Sequence, residues 1–522
     1  MFKKHPKGLI PAALANMGER FGFYTMMAIL SLFIATKFGF DEGTTGVIYA
    51  TFYFSIYILA FVGGIIADRT RKYKQTILAG LVIMSLGYFL IAIPTPTPVA
   101  NVPLMLTLTC LGLFTIAFGN GLFKGNLQAV VGQMYDKPEY GKMRDAGFSI
   151  FYMFINIGGM FAPLAAIGVR NWWVSSHGFQ YSADLPELCH QFLGGTISQD
   201  ALARFGELAS KVSGSQVTDL AAFANDYLGV FTTGFHYAFA VAIVAMLISL
   251  VVFLVNRRSF PDPKDKKAIS ASGEEIRMEA KELKQRIWAL IAVFAVVIFF
   301  WFSFHQNGLT LTFFAKDYTY LSIFGWDISA EFFQSMNPFF VVFLTPVVLA
   351  LFGWMRARGK EPSTPAKIGI GMGIAALAYV VMTLGSVGLP ELSDVKQMGG
   401  LPDAMRVTPW LLISTYFILT VAELFISPLG ISFVSKVAPP HLQGVMQGGW
   451  LAATAVGNQL LFIGGLFYKN LPMWMTWGLF VVVCLISMTV MFGMLRWLNR
   501  ITADKPAQAV AGVKEDIAAE AQ

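Results

Sequence analysis

Asn16-Met17-Gly18-Glu19-Arg20-Phe21-Gly22-Phe23-Tyr24 sets two adjacent, opposite charges inside an apolar run that extends over residues 12–36. A run of that length meets the roughly 20 apolar residues a helix needs to cross a bilayer. A charge at the centre of such a span costs roughly 2.5 to 3.5 kcal/mol on insertion scales, so the pair predicts a partnered, working site. Asn16, Glu19, Arg20 and Tyr24 fall at helical spacing on one face, which can point into a cavity rather than lipid. The plainer alternative is a self-neutralising structural pair, against which stands the poor stabilisation that buried pairs give relative to apolar packing.

The rest of the chain repeats the apolar pattern. Of 522 residues, 56% are hydrophobic and 13% are charged, against roughly 45–50% and about 25% in soluble domains. Backbone polar groups inside a bilayer are satisfied only by helices or a closed barrel. Long continuous apolar runs, rather than short alternating ones, select helices. About twelve such runs are present, each near the roughly 20-residue minimum. They fall near 12–36, 45–67, 76–95, 103–132, 145–169, 229–256, 287–315, 330–355, 367–388, 409–436, 443–467 and 473–498, with ends good to roughly 2–4 residues. The predicted fold class is an all-α membrane protein with two six-helix bundles, 1–256 and 287–500, joined by a linker at 257–286. That division resembles the paired halves of the major facilitator superfamily.

Basic residues in short loops mark the cytoplasmic side. Lys3, Lys4 and Lys7 precede the first span, Arg69, Arg71, Lys72 and Lys74 follow the second, and Arg356, Arg358 and Lys360 follow the eighth. Both termini and the linker are therefore expected inside a cell membrane. Within the linker, Glu274–Arg286 carries mixed charges and reads as a solvated helix at the membrane face. The longest outer segment, 170–228, holds Asp184, Glu187, Asp200, Glu207, Asp219 and Asp226 and no span. Residues 501–522 have a disordered composition. The amino terminus lacks a cleavable signal, so the first span is expected to be retained. The net charge of +7 is accounted for by inward loops, and nothing suggests a nucleic-acid partner. Cys110, Cys189 and Cys484 imply neither a disulfide framework nor a metal cluster, and no cofactor is implied.

Two further charges sit in mid-span. Lys124 lies within Gly119-Asn120-Gly121-Leu122-Phe123-Lys124-Gly125-Asn126, and Glu423 within Val421-Ala422-Glu423-Leu424-Phe425-Ile426-Ser427-Pro428. A cation in one half and an anion in the other make opposed poles suited to a zwitterion held between them. The plainer alternative for each, a buried residue neutralised by a neighbour, is the weaker reading.

Glu19-Arg20-Phe21, the Gly119–Asn126 run, Phe151-Tyr152-Met153-Phe154-Ile155-Asn156-Ile157-Gly158 and Phe333-Gln334-Ser335-Met336-Asn337-Pro338 together resemble the proton-dependent oligopeptide transporter family. The resemblance covers nearly all the membrane-embedded chain. It implies symport of di- and tripeptides with protons, in which Glu19 and Arg20 take part in proton coupling. Lys124 would join that cluster and help hold the peptide carboxylate, and Glu423 would receive the amino group and change protonation. Tyr24, Tyr57, Asn156, Asn337, Ser427 and Trp450 match pocket-lining positions of the family. The departures are Asn16 where a further glutamate is usual, Met27 for an arginine, His305 for a glutamate and Gly125 for a proline.

The residues support a similar account without the analogy. A short peptide presents a carboxylate, an amine and peptide bonds, so its pocket must supply cations, an anion and amide partners. Arg20, Lys124, Glu423, Asn156 and Asn337 could do so, with Gln306 beside them. Tyr24, Tyr57, Trp301, Phe304 and Trp450 could enclose variable side chains, and each is equally well a packing residue. Glu19 and Glu423, moved between water and a dry cavity, could take up and release protons. His305 reads as a proton relay or as a hydrogen-bonded cavity residue. Asp68 and Arg69, ending the second span in Gly63-Gly64-Ile65-Ile66-Ala67-Asp68-Arg69, resemble the superfamily's cytoplasmic loop motif and are expected to gate rather than touch substrate. Gly158, Gly159, Gly448 and Gly449 are expected at close helix contacts.

Membrane lipid, protons and short peptides are thus the expected partners. Two rivals stay open: a family offshoot carrying another small anion or zwitterion, suggested by Asn16 and Met27, and a nontransporting peptide-binding sensor. An enzyme is not expected, because no HExxH, GxSxG or paired catalytic aspartates fall in the spans.

Overall fold

The computed structural model describes residues 5–135, 138–141, 144–261, 280–438 and 443–503. In chain order the helices are α1 (Leu9–Phe38), α2 (Glu42–Thr70), α3 (Tyr73–Ala92), α4 (Val102–Met134), α5 (Pro138–Gly141), α6 (Arg144–Ser176), α7 (Leu185–Leu193), α8 (Gln199–Ser213) and α9 (Leu220–Val255). The second half holds α10 (Ala280–Phe304), α11 (Thr310–Tyr318), α12 (Met336–Ala357), α13 (Thr364–Gly385), α14 (Leu392–Gln397), α15 (Pro409–Val437), α16 (Gln443–Gln459), α17 (Leu461–Asn470), α18 (Met473–Gly493) and α19 (Leu495–Ala503). Among the described residues, 12 helical stretches are long and apolar enough to cross a membrane.

Local chemistry sets the helix ends. α1 stops at Gly39, whose φ of 66° is cheap only without a side chain, and its N–H returns to the Ala35 carbonyl. Asp41 then caps α2 by accepting from the Thr44 N–H at 2.9 Å. Two spans are composite. The seventh breaks between α10 and α11 at the 3₁₀ turn His305–Gly308, and the eleventh breaks between α16 and α17 at Leu460. The breaks face each other: the Gln306 amide donates to the carbonyls of Phe302 and Leu461 and accepts from Thr310 Oγ1. That satisfies backbone a continuous helix would have paired by itself.

In the first half α1 packs on α6 and α9, and α4 on α2 and α3. In the second, α13 packs on α15 and α18, and α10 on α16. The halves meet where α2 packs on α16 and α17 and where α6 packs on α12. The α2–α4 crossing is so close that a Cβ on Gly63 would lie 2.1 Å from the Gly121 carbonyl oxygen. Gly158, Gly159, Gly448 and Gly449 likewise abut Met17, Tyr24, Phe61 and Phe294.

Three boundaries differ from the sequence reading. The 170–228 segment is shorter as a loop, because α6 continues to Ser176 and α9 begins at Leu220. Arg170 therefore lies in a span and is fully buried. Between those helices α7 and α8 form a folded cap; Ala201, Phe205, Ala209 and Val212 recur at helical spacing and bury one face of α8. Of the linker, 262–279 lies outside the described residues, and residues 280–286 are the first turns of α10 rather than a separate surface helix. The tail from 504 onward also lies outside the described residues, and 501–503 belong to α19.

Candidate functional site

Glu19 and Arg20 are buried on α1 and form a forked ion pair, Nε to Oε2 at 2.6 Å and Nη2 to Oε1 at 2.7 Å. Asn120 of α4 adds a third donor, 2.6 Å from Glu19 Oε1. Glu19 is thus held from two helices, and a proton placed on it would break one of these bonds. Arg20 also stacks on Phe23, with its guanidinium carbon 4.6 Å from the ring centroid. One turn before Glu19, Asn16 is buried with its amide nitrogen unpaired, and Met27 is buried in the core.

Lys124 stands apart from this pair. Among the described residues it forms no ion pair; its ammonium lies over Tyr57, 4.2 Å from the ring centroid. It is half-buried and within electrostatic range of Arg20 and Glu19. In the other half, Glu423 on α15 accepts from Asn337 of α12 at 2.8 Å, and the same amide reaches Thr420 Oγ1 at 3.0 Å. Ser427 follows Glu423 by one turn and shares its half-buried face.

The aromatic residues join the poles. Tyr24 and Tyr57 each lie within electrostatic range of both Arg20 and Glu423. Tyr152, near the start of its membrane stretch, lies within electrostatic range of Glu423, Tyr24 and Tyr57 and keeps 43% of its surface accessible. Lys124 and Glu423 are half-buried on α4 and α15, and Tyr24 and Tyr57 lie within electrostatic range of charges from both bundles; these are the residues expected from the sequence to line a shared chamber.

Other expected site residues take packing places. Gln306 is wholly buried and its amide is used at the helix break, so it does not line the chamber. Asn156 is buried and donates to the Tyr152 carbonyl at 3.0 Å. Trp450 is buried against α15, where a Cβ on Gly430 would meet its ring at 1.8 Å. Trp301 stacks on His305 at 4.8 Å, with Phe304 also against that imidazole. His305 Nδ1 meets Asn458 Oδ1 at 2.5 Å and its ring lies 4.7 Å from Tyr53, a cavity-edge network linked through Tyr53 to Tyr57. Arg69 is exposed at the end of α2, and the Asp68 side chain lies outside the described residues. Asn120, Tyr152 and Thr420 were not singled out from the sequence. Each lies three or four residues from a residue that was, namely Lys124, Asn156 and Glu423, so helical spacing was the available signal.

At the end of the bundle where α1 hands over to α2, ion pairs close the halves on each other. Arg170 of α6 bonds Glu331 in the 3₁₀ segment Ala330–Ser335, both fully buried, and reaches Ser329 Oγ at 2.9 Å. The cap crosses to the second half through Arg406–Asp184 at 2.6 Å, Lys316–Glu187 at 3.0 Å and Lys396–Glu187 at 3.1 Å. Lys396 also bonds Glu42 at 2.9 Å, and Lys469 bonds Asp41 at 3.1 Å. Burial alone would raise the Glu187 carboxyl, but the Lys316 and Lys396 ammoniums outweigh it and hold it down at about 2. Ser198 Oγ donates to the Gln397 carbonyl, and the Gly399–Gly400 turn, with φ of 73° and 110°, docks against Ala201, Leu188 and Asp184.

The model of the POT family matches residues 74–278 and 268–468. The chain belongs to the POT family. It is 28% identical over 488 residues to the uncharacterized transporter YclF of Bacillus subtilis, covering 90% of this chain and 89% of that protein. To dipeptide and tripeptide permease B of Xenorhabdus bovienii it is 26% identical over 522 residues, covering 96% and 97%. To the peptide transporter YePEPT of Yersinia enterocolitica it is 27% identical over 482 residues, covering 88% and 87%. The fold is that of solved POT transporters. A peptide transporter POT in complex with sulfate superposes with a TM-score of 0.71 at 24% identity over 96% of both chains. A POT family transporter in complex with 5-aminolevulinic acid gives 0.69 at 22% over 96% and 98%. The family member described here is a multi-pass membrane protein of a transporter family, not of an enzyme family.

Proposed function

We propose that this POT family member imports di- and tripeptides together with protons by alternating access, with both termini in the cytoplasm. One observation supports the reading: Tyr24 and Tyr57 lie within electrostatic range of both Arg20 in one half and Glu423 in the other, and Lys124 stands over Tyr57, so the three charges can serve one chamber. The relatives named above for dipeptides and tripeptides support short peptides as the cargo. Lys124, the cation without a carboxylate among the described residues, receives the peptide carboxylate while Arg20 stays engaged with Glu19. Glu423 receives the amine and carries the proton, since among the described residues it accepts from the neutral amide of Asn337 and forms no ion pair. Glu19, with three donors already on it, serves as the fixed counter-charge in this scheme. The ion-paired end is the outer gate, closed in this conformation, and Asp68 and Arg69 act at the opposite, cytoplasmic face.

Uptake of labelled dialanine into proteoliposomes under an inward proton gradient tests the proposal. Gradient-driven accumulation is expected in the wild type and lost in Glu423→Gln. Binding without accumulation in the wild type would instead make the chain a sensor. A second reading, carriage of another small zwitterion, draws on the neutral Asn16 and Met27 at the first-span site and on the 5-aminolevulinic acid held by a solved relative. Under it, 5-aminolevulinic acid but not dialanine accumulates.

A further inference from the structure

The connection between the seventh and eighth spans holds a two-stranded hairpin, β1 (Ser322–Ile323) and β2 (Trp326–Asp327), paired Ser322↔Asp327 and Ile323↔Trp326. Its two turn residues, Phe324 and Gly325, have φ of 52° and 80°. Two positive φ values make this a type I′ turn, for which Asn-Gly is the favoured pair. A phenylalanine at the first position is strained, because its Cβ crowds the backbone in the left-handed region. Phe324 is 86% exposed and Trp326 76% exposed, and no other part of the chain comes within contact of a Cβ built on Gly325. Two largely exposed aromatic rings on a strained tip get little burial from the fold that carries them, and an exposed apolar tip of this kind marks a surface for an outside partner.

Position decides which partner. The hairpin lies between Tyr318, the last residue of the seventh span, and Ala330, the first of the eighth, so it cannot leave the membrane boundary. The Phe324 ring meets Trp410 edge to face, centroids 5.8 Å apart. Trp410 is itself exposed and stands in the first turn of the tenth span, where α15 enters the bilayer. Phe417 on α15 and Phe339 and Phe343 on α12 continue the exposed apolar surface along the spans. We infer that the Ser322–Asp327 hairpin is an interfacial anchor, whose Phe324 and Trp326 rings seat in the headgroup region of the bilayer beside Trp410. Tryptophans, with an apolar body and one N–H, collect at that depth, and the Phe324 ring adds apolar area against Trp410. The anchor is tied to the outer gate: the Tyr320 N–H bonds the Val407 carbonyl at 2.9 Å, and the neighbouring Arg406 bonds the Lys316 carbonyl and Asp184.

Site-directed spin labelling tests this in proteoliposomes of phosphatidylcholine. Phe324→Cys and, separately, Trp326→Cys are made in a Cys110→Ser background, since Cys189 and Cys484 are buried. Collision with oxygen is expected to exceed collision with an aqueous nickel chelate several-fold at both labels. A label at exposed Asp394 provides the aqueous reference and should show the opposite ratio. A nickel-dominated signal at positions 324 and 326 overturns the inference, as does spin–spin broadening that disappears on dilution with unlabelled protein, which would assign the tip to a second copy. Phe324→Asn guards against a folding artefact: it relieves the turn, so a monodisperse variant with reduced quenching by brominated lipid supports the anchor. Unchanged quenching in that variant, with Trp326→Tyr unchanged as well, counts against it.

Discussion

The amide of Asn120 in α4 donates to the same Glu19 oxygen that Arg20 Nη2 bonds, at 2.6 and 2.7 Å, so α1 and α4 share one buried charge pair. Breaking such a pair from one side leaves an uncompensated charge and costs roughly 3–5 kcal/mol. Glu19→Ala is therefore expected to lower the thermal unfolding midpoint in detergent more than any other single change at this site. Asn120→Ala removes one donor and should cost about 1–3 kcal/mol. A Glu19→Ala protein as stable as wild type would mean that Arg20 finds another partner.

Lys124 gives the opposite signature. Its contact with Tyr57 is a cation–π interaction, worth about 0.5–2 kcal/mol, and no carboxylate loses a partner when it goes. Lys124→Ala should leave stability within about 1 kcal/mol of wild type. Under the proposed function it removes a charge-assisted bond to the peptide carboxylate, worth about 1.5–3 kcal/mol, or roughly 10- to 100-fold in affinity. Dialanine binding by calorimetry and a thermal scan on the same preparation separate the two effects.

The sequence made the spans and the charge poles legible for physical reasons. A charge inside an apolar run stands out because lipid tolerates so few, and Glu19, Arg20, Lys124 and Glu423 were found that way. Residues that complete the site without charge were not. Asn120 and Thr420 become meaningful only once helix packing sets them against Glu19 and Asn337. The assignment of Gln306 to the chamber failed because a polar residue at a helix break can satisfy exposed backbone instead, which requires knowing that the span breaks there. The outer segment reads as a small cap, but its helices were not legible for a different reason: amphipathic α8 buries a narrow stripe, and its polar face hid the period within a charged segment.

Closure of the ion-paired end, outer under the proposed function, joins the cap to the second half at Ser198 and the Gln397 carbonyl. If the halves part there during transport, a covalent link must stop the cycle. Ser198→Cys with Gln397→Cys, oxidised in proteoliposomes, should reduce dialanine uptake at least tenfold, with recovery on adding dithiothreitol. Full activity of the crosslinked protein would show that the cap travels with the second half instead.

Acid should loosen this closure, and the sign follows from Glu187. Its carboxyl, ordinarily near 4.5, is held at about 2, with burial opposing and Lys316 and Lys396 prevailing. Burial and Lys316 would lower the Lys396 ammonium, but Glu187 and Glu42 prevail and raise it. A carboxyl lowered by folding contributes stability that is complete above its unfolded value and is lost as pH falls through the folded one. The clasp is therefore intact at neutral pH and weakens between roughly 4.5 and 2, with Glu42, Asp317 and His190 as the other titratable groups around it. Hydrogen exchange of residues 185–193 should be flat from pH 8 to 5, after correction for intrinsic rates, and should accelerate below about 4. Glu187→Gln should show the faster exchange already at neutral pH and lose the acid step. With its carboxyl held that far below neutrality by two ammoniums, Glu187 is assigned to the clasp and not to proton carriage. An acid step centred near 6 in the wild type, abolished by Glu187→Gln, would reverse that assignment.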